Sequence, residues 1–159
     1  MQLQHLAARG HRRVALAIPA RDTGAFGCAR VADAHRAALE LGLAPLSVVR
    51  VSMEPDPRTR NETVRALAGK TNVTAVAALN DDVALAVLAA MARLGYRTPE
   101  DLAVMGFDDE HQGHLWEPTL TTVRIDTAAY GRRAARSAVN AAAQGWTEAP
   151  SEIVQRASA

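Results

Sequence analysis

The sequence predicts an α/β fold: a doubly wound parallel sheet with helices on both of its faces. Two observations carry that expectation. Short, largely apolar runs alternate with amphipathic stretches of helical period, and the connections between them are brief. The runs are also continuously apolar rather than alternating, as strands covered on both faces must be.

Leu3, Leu6 and Ala7 mark the last turns of an amphipathic helix that Gly10 stops. Val14 to Ile18 is the first strand, ended by Pro19. Val31, Ala34, Ala38 and Leu41 recur at helical spacing, with Arg30 at the start and Gly42 at the stop. Leu46 to Val51 is a second strand, bounded by Pro45 and the breaker cluster Glu54-Pro55-Asp56-Pro57. Val64, Leu67 and Ala68 share one face of a short helix before Gly69, and Val73 to Leu79 forms the third strand, ending at Asn80. Asp81 and Asp82 open the next helix, where carboxylates favour the positive end of the macrodipole. Its stripe is Val83, Ala84, Val87, Leu88, Met91 and Leu94, and Gly95 ends it. Part of that stripe (Val83, Val87, Met91 and Leu94) either packs inside the lobe or forms a self-association face. Thr98-Pro99-Glu100-Asp101 is a turn, and Leu102 to Phe107 is the fourth strand. After a polar loop, Leu120 to Ile125 reads as extended, Thr127 to Gln144 as an alanine-rich helix and Ile153 to Arg156 as a last short strand.

Composition narrows the function classes. The 159 residues carry 18 basic and 17 acidic side chains, with 48% hydrophobic residues, a balance that excludes disorder from low hydrophobicity and high charge. No apolar run approaches the ~18 residues needed to span a bilayer, and no apolar export signal opens the chain. Cys28 is the single cysteine, so no intramolecular disulfide forms, which suits a cytoplasmic protein. Seventeen of the 18 basic residues are arginine, scattered and mostly interleaved with acids. Phosphate neutralisation needs a clustered excess of positive charge, so this segment is not expected to touch DNA.

Catalytic and cofactor signatures are missing. Neither GxGxxG nor GxxxxGK[ST] follows a strand, and Gly24 and Gly27 read as a flexible turn. His111 and His114 lie close to Asp108 and Asp109, but that spacing fits no zinc pattern. No GxSxG elbow accompanies a serine. The expectation is a protein without metal or cofactor, and not an enzyme.

Parallel sheets bind ligands outside the C-terminal ends of their strands. Arg30, Asn80 with Asp81, and Asp108 with Asp109 all fall there. Arginine offers a five-donor fork, asparagine a donor and an acceptor, and aspartate acceptors only, a set suited to a polyhydroxylated molecule. Asn80 and Asp108 are also good helix-capping types, and the two roles are compatible.

Several ordered stretches resemble the LacI/GalR family of transcription regulators. His5 to Ala15 is similar to the family's "L…GH+RIA" passage, and Leu79 to Leu85 to its "ND.MAL" turn. Gly95 to Asp109 (GYRTPEDLAVMGFDD) is similar to "G..VPeDisVvGfDd", and Pro118 to Val123 to "P.LTTV". Tyr130-Gly131 falls at "lG", and Ile153 to Ser158 resembles the closing "LvvReSt" strand.

The resemblance implies a periplasmic-binding-protein-like sensor domain. It further implies a small-molecule effector such as a sugar, bound by Arg30, Asn80 and Asp108, with Asp82 where some members place another ligand-facing side chain. The family pattern R..G[FWY] is broken after Arg30, where Asp33 and Ala34 replace the glycine and the aromatic. The implied division is a C-terminal lobe over about 1–120 and a helix and strand returning from the N-terminal lobe over about 121–159. The family's helix-turn-helix domain is expected to be absent from this chain. Operator DNA would therefore be a partner only through that domain, in a full-length homodimer with no membrane association. The sugar-binding component of a transporter shares the fold and is the alternative.

Overall fold

The computed structural model describes residues 1–22, 24–70, 72–138 and 151–159. Four strands, β1 (Val14–Pro19), β2 (Ser47–Val51), β3 (Ala75–Ala78) and β4 (Ala103–Met105), form a parallel sheet in the order β2-β1-β3-β4. Successive side chains of β1 pass to opposite faces. Val14, Leu16 and Ile18 pack under α1 (Gln2–Ala8) and α2 (Ala25–Glu40), whereas Ala15 and Ala17 pack under α3 (Arg58–Lys70) and α4 (Asp81–Leu94). The expected architecture, a parallel sheet between two helical layers, is the one observed.

α4 follows its sequence signals closely. Asn80 accepts from Val83 N at 3.0 Å, Asp81 and Asp82 sit in the first turn, and Gly95 closes the helix at φ 75°. Val83, Val87 and Met91 are buried against the sheet and α3, and Leu94 is partly buried against the same core. The stripe therefore belongs to the lobe's own interior and does not form a self-association face.

α2 starts six residues before the first apolar residue of its helical spacing, so Arg30 lies inside the helix and not at its start. The physical reason lies in the two glycines read as a turn. Asp22 accepts from Gly24 N at 2.9 Å, Gly24 is the extended N-cap, and Gly27 is buried where any Cβ would run into the Asp22 carboxylate. α3 also exceeds its apolar core. Asp56 accepts from Arg58 N and opens it after Pro57, but only Val64 and Leu67 are buried, so most of its 13 residues carry no apolar period.

Beyond β4, the one-turn α5 (Gln112–Leu115) lies in the stretch read as a loop. β5 (Thr122–Arg124) pairs antiparallel with β6 (Glu152–Val154) in a second, two-stranded sheet, and Thr121 bridges Met105 of β4. The residues after β6 then seal the β4 edge. Val104 N donates to Ser158 O at 2.8 Å, and the Ser158 hydroxyl donates to Val104 O at 2.6 Å. α6 (Thr127–Ala138) buries only Ala129. The remainder of the helix expected to Gln144 lies outside the described residues. No described helix is long and apolar enough to cross a membrane.

Candidate ligand crevice

In the order β2-β1-β3-β4 the connections leave β1 and β3 toward opposite sides, which opens a crevice at the C-terminal ends of those two strands. The sequence-predicted residues stand around it. Arg30 is on α2, which follows β1. Asn80 and Asp82 are at the N-terminus of α4, which follows β3, and Asp108 is in the turn that follows β4.

Arg30 is held from two sides. Its Nη2 donates to Gln2 Oε1 at 2.8 Å, and its guanidinium carbon lies 4.4 Å from the centroid of the Phe107 ring. Its Nε is buried without a hydrogen-bond partner. Burial lowers the Arg30 pKa, and the carboxylates of Asp108 and Asp33 offset part of that effect. The Asp33 that replaces the family's glycine thus faces solvent as an ion-pair partner of Arg36 and adds negative potential near Arg30.

Asp108 has a positive φ of 112°, and Asp109 follows at 59°. The two successive left-handed residues turn the neighbouring carboxylates to different surroundings. Asp108 is half-buried, and its carboxyl makes no hydrogen bond among the described residues. Burial raises its pKa, and the charges of Asp81 and Glu110 add to the rise. Asp109 faces inward to Arg156 and to Arg124, the latter at 2.6 Å. Burial alone would raise the Asp109 pKa, but hydrogen bonds from Arg156 and Arg124 hold it below the usual carboxylate range.

Asn80 spends its side-chain oxygen on the α4 cap, while its amide nitrogen is uncommitted among the described residues. Asp82 is exposed at the crevice rim. Replacing Asn80 by alanine is expected to cost about 1 kcal/mol through the lost cap. Chemical denaturation of the purified chain measures that cost.

Asp81 differs from its neighbour Asp82. It is fully buried, accepting from the Thr122 hydroxyl at 2.6 Å and from Glu110 N at 2.7 Å. Gly106 leaves room for it, because a Cβ there would collide with Asp81 Oδ1. The carboxyl thereby fastens β5 and the turn carrying Asp108 to the start of α4.

Sequence reasoning missed Gln2, Phe107 and Arg156, and read Asp81 as a helix opener and a strand-end polar residue facing the ligand crevice, whereas its carboxyl is fully buried and tied to Thr122 and Glu110. Gln2 carried a usable signal: it stands four residues before Leu6, on the buried face of α1, where a polar side chain needs partners. His114 lies 2.9 Å from Arg156 and 3.8 Å from Asp109, in the same network as the tail.

The chain matches the periplasmic binding protein-like domain over residues 3–158. It belongs to that family. Within this periplasmic binding protein-like family its relatives are LacI/GalR regulators, and the chain corresponds to part of their effector-binding domain. The HTH-type transcriptional repressor PurR of Erwinia tasmaniensis is 33% identical over 122 residues, which is 76% of this chain and 35% of that protein. PurR of Mannheimia succiniciproducens is 40% identical over 72 residues, 45% of this chain and 22% of that protein. A solved LacI-family regulator from Sanguibacter keddieii is 32% identical with a TM-score of 0.75, covering 99% of this chain and 61% of that one. The chain spans about a third or less of the curated relatives it matches.

Proposed function

We propose that this chain is the effector-sensing part of a LacI-type transcription regulator, taking a small polyhydroxylated ligand such as a sugar into the crevice at Arg30, Asn80, Asp82 and Asp108. One observation carries the reading. At the switch point of a parallel sheet stand a carboxylate with no hydrogen-bond partner and an arginine Nε with none, the acceptor and the donor that sugar hydroxyls satisfy. In a full-length protein, a ligand that binds two arrangements unequally shifts their populations, and a DNA-binding domain elsewhere in that protein would report the shift. The names of the relatives favour this over a transporter component. On this reading the chain works in the cytoplasm. Residues of about 1–120 form one lobe, and α6, within the returning stretch of about 121–159, contacts the other.

Asp108→Asn in the regulator that carries this domain is expected to weaken the effector response about tenfold to a hundredfold, the loss of a charge-assisted hydrogen bond. The melting temperature should stay within a degree or two, since the Asp108 carboxyl makes no hydrogen bond in the fold. Induction titrations with a sugar panel, run beside thermal melts, test it. A variant responding at the wild-type concentration overturns the assignment.

The homodimer is part of the same proposal, with its face displaced from the α4 stripe. A groove of about 290 Å³ sets Ala92, Tyr96, Trp116 and Pro118 beside the charged Arg97, Glu100 and Glu117, and Leu115 next to it in sequence is 74% exposed. A surface that mixes apolar side chains with charges of both signs suits a second copy of the chain. Sedimentation at micromolar concentration is expected to show a dimer, and Ala92→Arg a monomer with an unchanged fold. A monomeric wild-type chain counts against the face.

A further inference from the structure

We propose that Gln2 is a positioning residue for Arg30: it links the C-terminal ends of β3 and β4 to the arginine and fixes how the guanidinium stands in the crevice. This rests on the reading of Arg30 as a ligand-facing residue and goes beyond it by naming what sets its direction.

The orientation of the Gln2 amide follows from its surroundings. Gln2 is 6% exposed, and its Nε2 donates to Ala78 O at 2.9 Å and to Gly106 O at 2.8 Å. A flipped amide would set its oxygen against those two carbonyl oxygens, so the nitrogen must occupy that end. The oxygen is then forced outward, where it accepts from Arg30 Nη2 at 2.8 Å. Every hydrogen-bonding group of this buried amide is directed: two carbonyls from adjacent strands on one end, one cation on the other.

Arg30 gains its geometry from that cation contact together with the Phe107 ring. A long arginine side chain on a helix ordinarily samples many rotamers and loses that freedom on binding a ligand. With Nη2 held and one face covered by the ring, the guanidinium is ordered before a ligand arrives, and the buried Nε–H is left as an uncommitted donor. Preorganisation of this kind raises affinity by removing the ordering cost from the binding step. The chain thus couples the spacing of the β3 and β4 ends to the aim of the arginine through one side chain.

The test uses the Arg30 Hε–Nε resonance of the 159-residue chain, which reports the guanidinium itself. Gln2→Met keeps the length and apolar bulk but removes both ends of the hydrogen-bond bridge. Gln2→Glu loses the donors to Ala78 and Gly106 but keeps an acceptor for Arg30. The expected result is that Gln2→Met speeds Arg30 Hε exchange about tenfold or more and removes the upfield shift caused by the Phe107 ring, the scale set by a hydrogen bond to a charged group. Gln2→Glu should keep slow exchange, because a carboxylate still pairs with the guanidinium, but lose the ring shift, because its second oxygen is repelled by Ala78 O and Gly106 O and the side chain leaves the bridge that aims Arg30. An Arg30 signal unchanged in Gln2→Met, or a ring shift unchanged in Gln2→Glu, overturns the proposal. Should Gln2→Met fail to fold, the Gln2→Glu spectrum decides alone. Titrating the wild-type chain with D-glucose, D-galactose and D-ribose then addresses the separate matter of the crevice. Shifts at Arg30 support its ligand-facing role. Silence there with an intact Gln2 result counts against the functional reading and leaves the positioning role standing.

Discussion

Asp81→Ala is expected to lower the stability of the domain by about 2–5 kcal/mol, because it strands one buried donor and one half-buried donor at once and leaves a cavity. The Thr122 hydroxyl loses its acceptor in the interior, Glu110 N loses its acceptor nearer the surface, and a void opens beside Gly106. For a chain of this length that is a fall of about 5–15 °C in Tm. Asp81→Asn should cost far less. Its oxygen can accept from Glu110 N while its nitrogen donates to the rotatable Thr122 hydroxyl. The two variants also separate charge from hydrogen bonding. Burial raises the pKa of Asp81, and its hydrogen bonds offset only part of the rise. A folded-state pKa above the unfolded value means that the group's contribution is complete below the unfolded carboxylate pKa and is lost as pH rises through the folded one. The wild type should therefore lose stability relative to Asp81→Asn as pH climbs from about 4 toward neutrality. Denaturant titrations of both proteins across that window measure the difference. A constant difference would show that Asp81 is not protonated preferentially by folding.

Arg156→Ala is expected to cost about 3 kcal/mol, at the lower end of what breaking a buried ion pair costs, because Arg124 still faces the Asp109 carboxylate. Arg156 also donates to Leu120 O at 2.6 Å, so the substitution removes a donor from a buried carbonyl as well. The pH dependence has the opposite sign to that of Asp81. Hydrogen bonds from Arg156 and Arg124 hold the Asp109 pKa down against burial, so its contribution is present above the unfolded pKa and is lost as pH falls through the folded one. Relative to the variant, the wild type should lose its advantage on acidification below about pH 4. Equilibrium unfolding at acid and neutral pH checks both statements. An Arg156→Ala protein as stable as the wild type at pH 7 would mean that Arg124 alone satisfies Asp109.

The layers of the fold were legible because apolar period is a local property. β1 to β4 and α4 each carry it within their own few residues, and Asn80 and Gly95 mark the ends of α4 with chemistry that acts over one turn. α2 and α3 were read short for the same reason. Their first residues, Ala25 to Arg30 and Arg58 to Thr63, bury no apolar side chain, and helix there is set by Gly24, Asp22 and Asp56 rather than by an apolar period. Around the crevice, Arg30, Asn80 and Asp108 were named because they follow strands, and Asp82 because the family resemblance implies a ligand-facing side chain there; their contact with a ligand is part of the proposal. What escaped was the support beneath them. Gln2 reaches across more than seventy positions to Ala78, and Arg156 across 47 to Asp109, and no local pattern announces such a pairing. Asp81 and Asp82 are chemically identical neighbours whose different fates depend on Gly106, just after β4, and on Thr122 of β5.

The pairing of Val104 with Ser158 has a consequence for how the chain comes together. These residues are 54 positions apart, so the loop between them must close before the contact forms, and distant closures are slow compared with helix formation or with the pairing of β3 and β4, whose partners Ala75 and Ala103 are 28 positions apart. Until then β4, Ala103 to Met105, is paired on its β3 side alone, and on its outer edge the Val104 backbone has no partner, with only Thr121 beside Met105 to cover the end of the strand. Such an edge is a template for another chain. The short polar hydroxyl of Ser158 and the backbone beside it thus act as a stopper that ends sheet growth at four parallel strands. Variants that slow this closure are expected to raise the yield of aggregates during refolding, as light scattering would show, while the fraction that finishes folding keeps its crevice intact.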